Sequence, residues 1–338
     1  DYSLVFEFFF PSLEQWKYIW STNGTENDNW LYKHIALQNI YFEDGFRFRF
    51  KNYGSLAGGL DHWNLDYIYF DENRSINDTL MNDWAFTSPP LTVLEKYTSI
   101  PWSHYKKMES NYILNNITIP TFNSSESSKL LQPCSMDIIF KDSIFESIPY
   151  AATVLNVPEL SYFDMVYNTI DKYQFDTTIL DTFASFDVRF NLSTNTTPER
   201  LSENDTIYLQ QNFHNYYSYD DGSAESAYGL VGNGVELAYK FELSEEISSD
   251  TLRAINIHFS PSVNDVSSEG FFLQIWADNE GLPGEIIYTS DDQELPEIFY
   301  PQYNIGINGF YEYELPVLVP VSGVYYIGWK QASAERLN

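Results

Sequence analysis

The chain has 338 residues, with 18 Lys+Arg against 48 Asp+Glu and a formal net charge of −30. Aromatic residues make up 18% of it, ample apolar material for packed cores, so the acidity is not the signature of a disordered chain. A surface this negative repels phosphate backbones and argues against a nucleic-acid partner.

Period-2 patterns dominate from the first residues onward. Asp1 to Phe10 reads as a strand already under way, with no basic start and no small-residue cleavage site. Phe46-Arg-Phe-Arg-Phe-Lys alternates aromatic and basic residues, the pattern of a half-buried strand with one wet face. Leu65–Phe70, Tyr112–Ile119, Met136–Phe140, Ala184–Leu192, Leu252–Phe259 and Phe271–Trp276 are further expected strands. Clusters of Asn, Asp, Gly, Ser and Pro separate them. Only Leu91–Tyr97, between Pro90 and Pro101, suggests a helical turn. Asp278–Gly284 reads as a hairpin connection. The C-terminal Gly323–Gln331 is again a strand, so the chain is expected to be part of a longer polypeptide. The expectation is an all-β fold of tandem β-sandwich or jelly-roll domains. The longest uncharged apolar run, Leu315 to Trp329, holds two prolines and is too short to span a bilayer, so no transmembrane segment is expected.

Composition shifts after Phe70 and near His214 divide the chain into units of 1–75, 76–215 and 216–338. The first is too short for a whole sandwich. Cys134, the single cysteine, cannot form an intrachain disulfide and reads as a small buried hydrophobe.

The chemistry-bearing patterns are few. No His pair has metal-ligand spacing, there is no Gly-x-Ser-x-Gly elbow, and no Glu-x-Asp-x-x-Glu places acids along one strand face. No catalytic residue is assigned, and an enzyme is not the expectation. The densest constellation is Asp61-His62-Trp63-Asn64-Leu65-Asp66. Here Trp63 would stack on a sugar face while Asp61, His62 and Asp66 take hydroxyls. Core packing of Trp63, Leu65 and Tyr67 accounts for the same residues. Asp220-Asp221-Gly222 with Glu225 offers carboxylates around a tight turn, a set suited to Ca²⁺. A solvated acidic turn accounts for it equally.

Several stretches resemble surface proteins of Bacteroidota exported by type IX secretion. In the first unit these are Ser3–Phe8, Trp16…Trp20-Ser21, Gly45–Leu56 and Asp61–Ile68; the second opens with Leu94–Tyr105. The third carries Tyr219–Leu230, Ala238–Phe241, Trp276–Gly284 and Tyr326–Gln331. The resemblance implies that 1–75 is the C-terminal part of a concanavalin- or MAM-like jelly roll. It implies an immunoglobulin- or fibronectin-like sandwich over 76–215 and a jelly-roll sandwich, truncated at its C-terminus, over 216–338. It implies a cell-surface or secreted location and a non-enzymatic role in adhesion or envelope-complex assembly. The expected partners are an outer-membrane or cell-surface protein, the export machinery, or glycans. Two alternatives stay open: carbohydrate-binding modules of a secreted glycan-processing protein, and a secreted hydrolase.

Overall fold

The computed structural model describes residues 3–24, 31–54, 62–72, 74–77, 79, 81–108, 112–150, 155–169, 175–195, 201–223, 228–260, 265–303 and 309–337. The fold is all-β, built from small antiparallel sheets in the manner of β-sandwiches, and among the described residues no sheet closes into a barrel.

The first sheet is β1 (Ser3–Phe10), β2 (Gln15–Asn23) and β3 (Arg47–Tyr53), with β1 in the middle. Strand alternation turns Leu4, Phe6, Phe8 and Phe10 of β1 to one buried face. There Phe6 meets Phe50 at 4.6 Å between ring centroids, and Tyr41 meets Phe8 at 4.9 Å and Phe10 at 4.6 Å. This aromatic cluster is separate from the larger core that follows.

The strand expected over Leu65–Phe70 does not form. The segment has no strand pairing, and Leu65, Tyr67, Ile68, Tyr69 and Phe70 are all exposed. Bulky side chains occur at both parities here, so neither face is polar enough to set a register. Tyr67 also adopts a left-handed φ of 47°, which strand pairing does not accommodate. Its hydroxyl instead donates to Asp83 Oδ2 at 2.8 Å. Asp83 is fully buried and also accepts from Asn204 Nδ2 at 2.9 Å, so one carboxylate ties this segment to the next set of sheets.

Those sheets comprise β4 (Trp84–Phe86), β5 (Asn116–Asn123), β6 (Lys129–Leu130), β7 (Ser135–Phe140), β8 (Ser143–Pro149), β9 (Asn156–Val157), β10 (Ser161–Asn168), β11 (Ala184–Asn191) and β12 (Thr206–Phe213). The order is β10-β5-β4 in one sheet and β12-β11-β7-β8 in the other, with β6-β9 as a short pair. Ala184, Phe186, Val188 and Phe190 alternate inward along β11. Tyr167 of β10 meets Phe190 at 5.6 Å, joining the two sheets through the core. The strand expected at Tyr112 begins only at Asn116 and runs through Pro120 to Asn123. The expected helical turn at Leu91–Tyr97 is also displaced. That segment is non-helical and buries Val93, Leu94 and Tyr97, with Leu94 bridging Ile113. The helix, α1 (Trp102–Met108), starts after Pro101, whose carbonyl receives the Tyr105 amide. A proline just before the first turn forfeits no helical hydrogen bond. Cys134 is buried and free, as expected.

The last strands are β13 (Glu236–Glu242), β14 (Asp250–Ile257), β15 (Phe271–Asn279), β16 (Leu282–Thr289), β17 (Tyr311–Val321) and β18 (Val324–Gln331). They form β13-β18-β15-β16 and a facing pair β14-β17. Phe271 of β15 meets Tyr313 of β17 at 5.4 Å. The expected hairpin closes tightly at Glu280 (φ 55°) and Gly281 (φ 88°), so both strands run further than the sequence suggests. Two left-handed residues in succession fit a type I′ turn, whose twist matches the strands it joins.

An aromatic seam links Tyr97 to Tyr217, Tyr219 and Phe241, with centroids 4.7–6.3 Å apart. The Tyr97 hydroxyl accepts from the Glu242 amide at 2.8 Å and donates to the Glu242 carbonyl at 3.0 Å. In the same seam His104 is buried, with Nδ1 2.7 Å from the Tyr217 hydroxyl and Nε2 3.5 Å from Asp250 Oδ2. Burial holds its imidazole below the usual range; Asp250 pulls the other way and Lys107 adds to the lowering. The fold therefore favours the neutral ring. Its contribution to stability is complete above an unfolded-state pKa of about 6.5 and is lost as pH falls below it. The melting temperature should drop between pH 7.5 and 5.5, and His104→Gln should flatten that part of the profile. An unchanged slope in the variant would show that another group carries it.

Candidate functional site

The two constellations singled out by the sequence are placed differently from one another. Asp61 and Glu225 lie outside the described residues. His62 and Asp66 are exposed and Trp63 is half-buried, on a segment without strand structure. Asp66 Oδ1 accepts the amide of Tyr67 at 2.7 Å, so this carboxylate supports the local backbone. Asp220 and Asp221 each fold back onto the chain two residues ahead. Asp220 Oδ1 accepts the Gly222 amide at 2.7 Å, and Asp221 Oδ1 accepts both the amide and the hydroxyl of Ser223, at 2.9 and 2.7 Å. The Ser223 hydroxyl and then its amide hold the Asp221 carboxyl below its usual range. These are Asx turns, and turn chemistry accounts for both residues. Among the described residues, no group of three His, Cys, Asp or Glu side chains is gathered as a metal ion would need.

The most distinctive surface lies on the first sheet, opposite its aromatic core. Along β3 the side chains of Arg47, Arg49 and Lys51 share one face, because strand residues two apart point the same way. Cross-strand register sets them beside chosen partners. Arg47 lies opposite Phe9, Arg49 opposite Glu7, and Lys51 opposite Val5; Trp16 of β2 lies opposite Phe9 on the other side. The Arg47 guanidinium sits 4.1 Å from the Phe9 ring centroid, and that of Arg49 sits 4.0 Å from Trp16. Glu7, only 8% exposed, accepts from Arg49 and Lys51, with Nη2 and Nζ at 2.7 and 2.8 Å. Hydrogen bonding from Lys51 leads in holding the Glu7 carboxyl below its usual range; burial opposes it and Arg49 assists.

Glu7 thus neutralises part of the charge of two cations and leaves the third. Arg47 is exposed, and among the described residues no carboxylate lies within ion-pair distance of it. It borders a shallow depression lined also by Phe9, Pro11, Glu14 and Gly45. Two turns build the rim. Glu14 closes the 3₁₀ turn Pro11–Leu13 with a φ of 49°, and Gly45 holds a φ of 87° that side chains rarely adopt. The arrangement offers a guanidinium seated over a ring, an apolar floor and one acidic acceptor. Stacking leaves the N–H edges of a guanidinium free to donate to a planar anion in a two-pronged manner. Sequence patterning exposes the alternation of β3, but Phe9 and Trp16 come from other strands and join the face only through pairing register.

No family model, curated protein or solved structure matches the chain.

Proposed function

We propose that this chain is a non-enzymatic binding protein of the bacterial cell surface, acting in adhesion or envelope-complex assembly through the cationic, aromatic face of its first sheet. The observation that carries the reading is the placement of Arg47, Arg49 and Lys51, three of only 18 basic residues, together on one strand face of a chain with net charge −30. Such a contrast draws an anionic partner to one side of the molecule while the rest of the surface repels it. The Bacteroidota resemblance supports the extracellular location, and the small tandem sheets suit a modular role. Trp16 and Phe9 lie under the guanidinium groups of Arg49 and Arg47 and hold them for an anionic ligand, an anionic glycan among them.

The test is binding of fluorescently labelled protein to an envelope fraction from the source bacterium. Arg47→Gln combined with Arg49→Gln should lower the bound fraction at least fivefold with an unchanged circular dichroism spectrum. Equal binding by the folded variant overturns the assignment to this face.

A further inference from the structure

We infer that the depression beside Arg47 is a subsite for an anionic sugar, a pyranose carrying a carboxylate or sulfate. The inference rests on the surface-binding reading and adds the chemical class of the ligand.

Three features of the depression meet three parts of such a ring. Arg47 supplies an exposed cation without a carboxylate partner among the described residues, which suits the anionic substituent. Pro11 and the part of Phe9 left uncovered by Arg47 supply an apolar patch for the C–H face of the ring. Glu14, exposed on the rim, supplies an acceptor for hydroxyl groups. A carboxylate at that position would weaken a site built for bare phosphate or sulfate ions but serves one that must also take hydroxyls. Arg49 and Lys51 continue the face along β3, about 14 Å from end to end for positions i to i+4. That is room for a short run of sugar units. Their charge is partly offset by Glu7, and that of Arg47 by Glu14 on the rim, so the face attracts anions moderately along its whole length.

Charge also decides against the neighbouring ligand classes. A neutral glycan would need the rings but would leave Arg47 without use. A polyanion as dense as nucleic acid would gain at this face and lose against the remaining acidic surface. A polysaccharide with one anionic group per sugar unit carries its charges further apart than duplex nucleic acid and presents apolar ring faces between them.

The experiment is affinity electrophoresis of the whole chain through gels containing polygalacturonate, dextran sulfate, unmodified dextran or polyglutamate. The expected result is retardation by polygalacturonate or dextran sulfate, weakening with added salt. It should be at least tenfold weaker for Arg47→Gln, and also weaker for Glu14→Gln. Retardation by polygalacturonate alone assigns a carboxylated sugar, and by dextran sulfate alone a sulfated one. Equal retardation by dextran, or by polyglutamate, overturns the inference. Absence of retardation in every gel also overturns it. If envelope binding still depends on Arg47 and Arg49 in that case, the surface-binding reading stands with a different ligand; if it does not, both fall. Sedimentation velocity covers the remaining occupant: a dimer that Arg47→Gln dissociates would assign the face to the acidic surface of a second copy and overturn the sugar site.

Discussion

Gly328→Ala is expected to abolish the stability of the last sheet. Gly328 lies in β18, the strand paired on both sides, opposite Ala238 of β13 and Gln274 of β15. A Cβ built at this position would stand 1.7 Å from the Leu237 carbonyl oxygen, 2.7 Å from its carbon and 3.0 Å from the Cα of Ala238. All three are backbone atoms of a paired strand, so relief requires β13 to shift away from β18. Losses of this origin belong to the extreme of point-mutant effects, above about 4 kcal/mol. The comparison is Gly222→Ala, where an added methyl meets nothing within 4 Å and only a φ of 93° opposes it. That variant should lose about 1 kcal/mol. Urea denaturation of both variants checks the difference. Similar midpoints would mean that β13 can shift at little cost.

Trp102→Ala is expected to cost about 3–5 kcal/mol, the range for emptying a buried indole site. Trp102 is fully buried at the start of α1 and lies 5.4 Å from Tyr105, 5.9 Å from Phe186 and 5.1 Å from Phe213 between ring centroids. These rings come from a helix and two strands, and they cannot all close on one void. The lost hydrogen bond matters less. The indole N–H donates to the Ile179 carbonyl at 3.4 Å, but Lys106 Nζ donates to the same oxygen at 3.0 Å. Removal of the indole therefore leaves that carbonyl satisfied, and the penalty is mostly cavity. Trp102→Phe should recover a large part of it. The check is urea denaturation followed by near-ultraviolet circular dichroism. A loss below about 1 kcal/mol would show that the site collapses freely.

Strands with one clean apolar face were readable from residue order alone. Ala184–Leu192 and Met136–Phe140 alternate, and both form where expected. Leu65–Phe70 lacks a polar parity, and without one the hydrophobic pattern does not select a register. Leu91–Tyr97 holds apolar residues spaced as on a helix, but its contacts are with Ile113 and the aromatic seam, and tertiary packing sets its conformation. The acidic pair Asp220-Asp221 was readable as a turn and is one. The cationic face was half legible. Arg47, Arg49 and Lys51 announce a wet strand face, but their aromatic and acidic neighbours arrive from strands whose pairing no local pattern specifies.

Tyr97 has a consequence for the order of assembly. One hydroxyl engages both the amide and the carbonyl of Glu242, which is 145 residues away along the chain. Glu242 ends β13, an outer strand that among the described residues pairs with β18 alone. During synthesis Tyr97 emerges 145 residues before its partner exists, and its ring neighbours Tyr217, Tyr219 and Phe241 also come late. Contacts that distant in sequence carry a large loop-closure cost and form late. The last sheet would then dock onto a seam prepared by earlier-folded residues, with Tyr97 setting where β13 stops. Until that docking, the side of the Tyr97–Tyr217–Tyr219 cluster that Phe241 covers is open to water.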